Sequence, residues 1–169
     1  MKPHHVLILI AALVLLGGGY AFFSAPPEAN KVTAIAIPGF IAAISLTFAA
    51  LLARRVSRGV IAAAAVVLLF FSALVAFPAV MRTNKMTNFP AASEAWTKAT
   101  TDDPTLAPRA AADRAVRKAF FDERNSPDHD QTYLVLTLWF LTGVCFMGAL
   151  VLFFQRSGVA AKPTAPTPA

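Results

Sequence analysis

Four stretches of the chain, residues 6–23, 32–53, 60–81 and 133–154, contain no charged side chain, so all 15 basic and 9 acidic residues fall outside them. An α-helix rises about 1.5 Å per residue, so a run of 22 residues reaches roughly 33 Å, against a bilayer hydrocarbon core of about 30 Å. The first stretch, at 18 residues, is near the lower limit. A soluble chain of this size would interrupt its apolar residues with a polar stripe on each helix. These runs are not interrupted. The expected fold is all-α: a four-helix transmembrane bundle with a small helical extracytoplasmic insertion between helices three and four.

The net charge of +6 is one-sided. Lys2, Arg54, Arg55, Arg58, Arg156 and Lys162 flank the spans on one face, with no acid among them. The turn between the first two spans carries Glu28 and Lys31, which cancel, and residues 82–132 hold eight basic and eight acidic side chains, which also cancel. Positive charge concentrated in short loops marks the cytoplasmic face. Both termini are therefore expected inside and two loops outside, in a bacterial cytoplasmic membrane. Nucleic acid is excluded as a partner, because no basic groove interleaved with aromatics occurs. Lys2 before an apolar run has the outline of a signal peptide, but Phe22-Phe23-Ser24-Ala25 puts bulky residues where cleavage needs small ones, so the first span is expected to remain.

The domain plan is helices one to three in residues 1–81, the insertion in 82–132, the fourth helix in 133–154 and a low-complexity, disordered cytoplasmic tail in 155–169. Small residues set the expected helix packing. Gly17, Gly18 and Gly19 end the first span, and Gly39 and Ala43 form a small-xxx-small pair in the second. Pro38 predicts a kink, with the carbonyl near Ala34 deprived of its usual partner. Within the insertion, Pro108 and Pro127 bracket a helix expected over residues 109–124, with Asp113 four residues before Arg117. A shorter helix is expected over 91–99 around Trp96. Trp96, Phe120 and Phe121 are the expected surface anchors: they turn toward lipid or the bundle, or else build a small core of their own.

No ionisable group lies inside a span, which argues against a proton-coupled pump, a haem subunit and an intramembrane protease. Cys145 is the single cysteine, so no disulfide and no CxxC pair exists within the chain. Asp122, Glu123, Asp128, His129 and Asp130 are ligand-type residues, but their spacing fits neither an EF-hand nor a zinc pattern, and a solvated acidic loop is expected. Ser45, Thr47 and Ser72 are isolated hydroxyls with no accompanying base, each expected to bond a carbonyl of its own helix. No enzyme, metal or cofactor is expected.

The run Leu16-Gly17-Gly18-Gly19-Tyr20, a turn ending at Lys31, and residues 77–91 with Phe77-Pro78-Ala79, Arg82-Thr83-Asn84-Lys85 and Phe89-Pro90-Ala91 resemble the transmembrane protein 14 family, which includes fatty-acid export proteins. The resemblance covers residues 6–91. The chain departs from it at Ala92, where the family has glycine, and in the polar stretch that follows before the last span. What the resemblance implies is a bundle that moves or binds fatty acids or other hydrophobic metabolites. Such a carrier needs an apolar cleft and a basic group at the interface, and Arg82 and Lys85 at the outer end of span three are the candidate ligand-binding residues, with interfacial snorkelling as the plainer role. The alternative is a noncatalytic anchor or scaffold whose outer segment docks a partner. The expected partners are membrane lipids and either a second copy or a membrane-complex subunit.

The one-sided charge makes a direct prediction. In sealed cells, a cysteine replacing Thr101 reacts with an impermeant thiol reagent, and one replacing Ser57 does not. Labelling at Ser57 reverses the orientation.

Overall fold

A computed structural model describes residues 1–26 and 31–158. Of the tail expected to be disordered over 155–169, residues 155–158 form the end of the last helix, and 159–169 lie outside the described residues. Among the described residues there are seven helices and no strand: α1 (Pro3–Ser24), α2 (Lys31–Arg54), α3 (Arg58–Thr87), α4 (Phe89–Asp102), α5 (Leu106–Ala112), α6 (Arg114–Asp122) and α7 (Thr132–Gly158). Four of them, α1, α2, α3 and α7, are long and apolar enough to cross a membrane. The chain divides into two compact units, one of Met1–Ala76 with the chain from Thr137, the other of Phe77–Leu136.

In the first unit each long helix buries a strip at three- and four-residue spacing. On α1 it is Leu7, Ile10, Ala11, Val14, Gly17, Gly18 and Ala21. On α7 it is Leu138, Leu141, Cys145, Ala149 and Leu152. The remaining faces expose large apolar side chains, including Leu16, Phe23, Phe40, Phe70, Phe153 and Phe154. Only 28–44% of each membrane-length stretch is buried, so most of the apolar surface faces outward. In water such a surface would associate, whereas hydrocarbon solvates it.

Backbones approach where glycine allows it. A Cβ at Gly18 would stand 2.8 Å from Pro38 Cβ and Cγ and 3.2 Å from the Ala34 carbonyl oxygen. Pro38 has no N–H to offer that carbonyl, and the lack of a side chain at Gly18 lets α1 pack closely against this turn of α2. A Cβ at Gly17 would stand 2.9 Å from the Phe140 ring, and one at Gly148 would stand 2.3 Å from Ile10 Cδ1. Residue numbers rise along α1 as they fall along α7, so the two run antiparallel. At the far end, Gln155 Nε2 donates to the Met1 carbonyl at 3.0 Å. Gly19 and Gly39 meet nothing within 4 Å, and Ala43 is exposed. Gly148, not singled out in the sequence, makes the tightest of these approaches.

The hydroxyls within the spans divide. Ser45 and Thr47 each donate to a carbonyl four residues back, Ile41 and Ala43, at 2.9 Å. Ser72 departs from the expected pattern: its hydroxyl donates across to the Thr142 carbonyl at 3.1 Å, joining α3 to α7. The Thr142 hydroxyl returns to Leu138 O in its own helix at 2.8 Å. Phe40 and Phe71 meet edge to face with centroids 5.9 Å apart, joining α2 to α3.

The second unit corrects the expected helix bounds. α3 continues through Pro78 to Thr87, and α4 starts after a single residue, Asn88. Pro90 falls in the first turn of α4, where a missing N–H costs no helix bond. The expected helix 109–124 is two helices, α5 and α6. Asp113 is the reason: it is extended, and its carboxylate accepts from Ala115 N at 2.9 Å as the N-cap of α6. An aspartate that can cap a new helix competes with continuing the old one. The turn that follows α6 closes at Asn125, whose φ of 48° is left-handed, with Ser126 N donating to Phe121 O and Asn125 N to Asp122 O, both at 3.0 Å. That is a Schellman ending with asparagine in place of glycine.

Two substitutions separate contact from composition. Gly18→Ala forces a methyl against a rigid proline ring and is expected to lower stability by about 1–3 kcal/mol, the usual cost of overpacking. Gly39→Ala, in open space within a helix, is expected to be neutral or to raise stability by up to about 1 kcal/mol. Thermal unfolding in detergent checks both, and equal responses would remove the Gly18 contact as the cause.

Candidate functional site

The chemistry-bearing residues gather in the second unit. Phe121 is 1% exposed and is surrounded by rings. Its centroid lies 6.3 Å from Phe89, 5.9 Å from Trp96 and 5.7 Å from Phe120, and Trp96 meets Phe120 edge to face at 5.0 Å. Trp96 and Phe120 are half-buried. Two arginines cover the cluster. Arg117 sits 5.8 Å from the Trp96 ring centre and 5.6 Å from that of Phe121, and Arg124 sits 3.6 Å from the centre of Phe120. A guanidinium over a ring contributes about 0.5–1 kcal/mol when exposed and more when dry. Arg124 also donates to the Phe120 carbonyl at 2.8 Å. Arg117, paired with Asp113 in the sequence reading, thus has aromatic neighbours, while Asp113 caps α6.

Arg82 and Lys85 part company. Lys85 is exposed, and Arg82 is half-buried, its Nη1 donating to Gln131 Oε1. Gln131 Nε2 lies 3.5 Å from His129 Nε2, and His129 Nδ1 lies 2.7 Å from Asp128 Oδ1. With the His129 proton on Nδ1, every donor in this chain faces an acceptor, from the Arg82 cation to the Asp128 anion. The acidic residues of the loop are individually engaged. Asp130 Oδ1 accepts from Thr132 N at 2.8 Å and from Thr132 Oγ1 at 2.6 Å. Asp122 is exposed, and Glu123 pairs with Arg124 at 3.7 Å. No group of three or more His, Cys, Asp or Glu converges among the described residues.

Hydrogen bonding holds two carboxyls below their ordinary range. The Thr132 hydroxyl, then its backbone N–H, stabilises the Asp130 carboxylate, and Thr105 does the same for Asp103. Both carboxylates stay charged until the pH falls below the usual aspartate value of about 3.9.

Two grooves accompany these residues, each within one unit. In the second unit a groove of about 480 Å³ is lined by Thr83, Met86, Thr87, Phe89, Pro90, Asp130, Thr132, Val135 and Leu136. In the first unit, one of about 410 Å³ lies between α1 and α7 and is almost wholly apolar, with Leu9, Ile10, Leu13, Phe140, Met147 and Val151 among its walls. Neither is lined by Arg82 or Lys85. Asp130 and Thr132 escaped the sequence reading as groove residues, although Asp-x-Thr before an apolar run is a readable helix-start signal.

No family model, curated protein or solved structure matches the chain.

The aromatic cluster predicts an asymmetry between neighbours. Phe121→Ala removes a fully buried ring and is expected to cost about 3–5 kcal/mol, with faster hydrogen exchange across both α4 and α6. Phe120→Ala, at a half-buried position, is expected to cost less. Equal exchange rates in the two variants would show that Phe121 is not the centre of this unit.

Proposed function

We propose that the chain is a multi-pass protein of a bacterial cytoplasmic membrane, a four-helix transmembrane bundle with both termini cytoplasmic and a helical extracytoplasmic insertion between the third and fourth spans. Its work is noncatalytic: it anchors the insertion, which docks a protein partner. The observation that carries this reading is the aromatic–arginine cluster. Phe121, ringed by Phe89, Trp96 and Phe120 and covered by Arg117 and Arg124, gives the insertion a core of its own, and Asp113 and Asn125 define the ends of its helix. A loop that merely joined two spans would need none of these. The meeting of Met1 with Gln155 supports placing Lys2 and Arg156 on one side, as the charge pattern asks.

A second reading, binding or transport of fatty acids or other hydrophobic metabolites, is favoured by the apolar groove between α1 and α7, whose walls suit an acyl chain. The Arg82–Gln131 bond weighs against Arg82 as a standing carboxylate receptor, because a ligand would first have to displace Gln131.

Native mass spectrometry of the gently purified protein decides between them. The anchor reading expects a stoichiometric protein partner that is lost when residues 89–130 are replaced by a short flexible linker while the protein stays in the membrane after alkaline carbonate extraction. The transport reading expects bound fatty acid, reduced about tenfold by Arg82→Gln with Lys85→Gln if a charge-assisted bond is lost. A partner retained without residues 89–130 overturns the docking role.

A further inference from the structure

We infer that the apolar groove between α1 and α7 seats one acyl chain of an anionic phospholipid of the cytoplasmic leaflet, whose phosphate is held by Lys2 and Arg156 at the groove's end. The α1 wall lies between Val6 and Leu13, in the first half of that helix. Ile10 packs against Gly148 in antiparallel register, so the groove lies toward the end of the unit where Met1 meets Gln155. The α7 wall, from Trp139 to Val151, is about 18 Å long. That is a little more than one leaflet's half of a hydrocarbon core of about 30 Å. Gly143 leaves the groove open, since a Cβ there would meet nothing within 4 Å. Leu9, Met147 and Val151 are exposed, so the groove opens sideways and a second acyl chain needs no room inside it.

Charge at that end has one sign. Across residues 1–76 and 137–169 the only acidic side chain is Glu28, which falls between α1 and α2, at the other end of α1. Lys2 stands four residues before Val6 and Arg156 five after Val151, so their backbones lie about 6 and 8 Å beyond the groove. Both cations are exposed, and no carboxylate at this end is available to pair with them. Cations beside a span attract anionic lipid, whereas a zwitterionic head group carries its own ammonium next to its phosphate and gains less from them. The protein's own bonds also leave this end incomplete. Gln155 Oε1 and His4 Nδ1, in the turns that carry Arg156 and Lys2, are buried with no hydrogen-bond partner among the described residues. Buried polar atoms are seldom left in that state. An apolar channel one leaflet long, ending at unpaired cations, matches a lipid that changes from acyl chain to anion over the same distance.

The inference rests on the reading that α1 and α7 cross a membrane with both termini inside, which carbonate extraction and thiol labelling test separately. Its own test is native mass spectrometry of the full chain, titrated in turn with glycerol and choline phospholipids of identical acyl chains and with the matching free fatty acid. The anionic glycerol lipid is expected to bind tightest. Lys2→Gln with Arg156→Gln is expected to weaken it about tenfold, to the level of the choline lipid, while Arg54, Arg55 and Arg58 keep the orientation. Lys98→Gln with Arg109→Gln removes equal charge from the insertion and is expected to leave binding unchanged. Gly143→Leu fills the groove from a position with open space around it and is expected to weaken both phospholipids, with thermal unfolding in detergent as the check that the bundle is intact. Equal binding of the glycerol and choline lipids, tightest binding of the free acid, equal loss in the two charge-pair variants, or unchanged binding in Gly143→Leu would overturn the assignment.

Discussion

Hydrocarbon offers no hydrogen-bond partner to a backbone carbonyl, and Pro38 removes the one its own helix would supply to Ala34. The same stretch of α2 is where α1 packs against it through Gly18. Gly18 brings α1 so close to α2 that a single methyl would stand 2.8 Å from the proline ring. Once that contact fixes α1, its next face turns Ile10 onto Gly148 and Gly17 onto the Phe140 ring. Between apolar helices in lipid there is no hydrophobic force to compensate for poor packing, so close fit and the few polar bonds must hold the helices together. Ser72 to Thr142 is one such bond, and its acceptor is a backbone carbonyl rather than a side chain. Each of these contacts depends on a residue small enough to let another element approach.

The second unit meets a different constraint. Its helices are short, and short helices are marginal without tertiary support. Its alanine-rich sequence supplies little apolar area per residue. One buried phenylalanine with three aromatic neighbours supplies much of what there is, and two arginines cover the rings with their stems and guanidinium planes. The caps do the rest. Asp103, Asp113 and Asp130 each accept a backbone N–H two residues on, so these acids stabilise helix starts and turns instead of converging on a metal. An acidic count alone cannot distinguish those fates. The spacing to the next Thr or Ala does.

What could be read from the sequence follows the range of the force involved. The four apolar runs were visible because transfer to hydrocarbon acts on whole segments, and their locations agree with four membrane-length helices. Pro38 was visible because its missing donor is a local property. The break at Asp113 was missed because helix propensity over 109–124 is good, and a cap wins only once the backbone can turn there. The importance of Gly148 was hidden for a different reason. A glycine in a membrane helix is common, and only the opposing Ile10 distinguishes it from Gly19 or Gly39, which meet nothing. Ser72 likewise needed the fold, since a hydroxyl in a span has a carbonyl of its own helix within reach by default.

A basic pair beside an apolar run suggested a receptor for a carboxylate head. In the structure, Arg82 is hydrogen-bonded to Gln131, and the groove nearby is lined instead by a carboxylate and hydroxyl oxygens. Asp130 is among the lining residues, and hydrogen bonds from Thr132 hold its carboxyl below the ordinary range. Those same bonds anchor it to the first turn of α7.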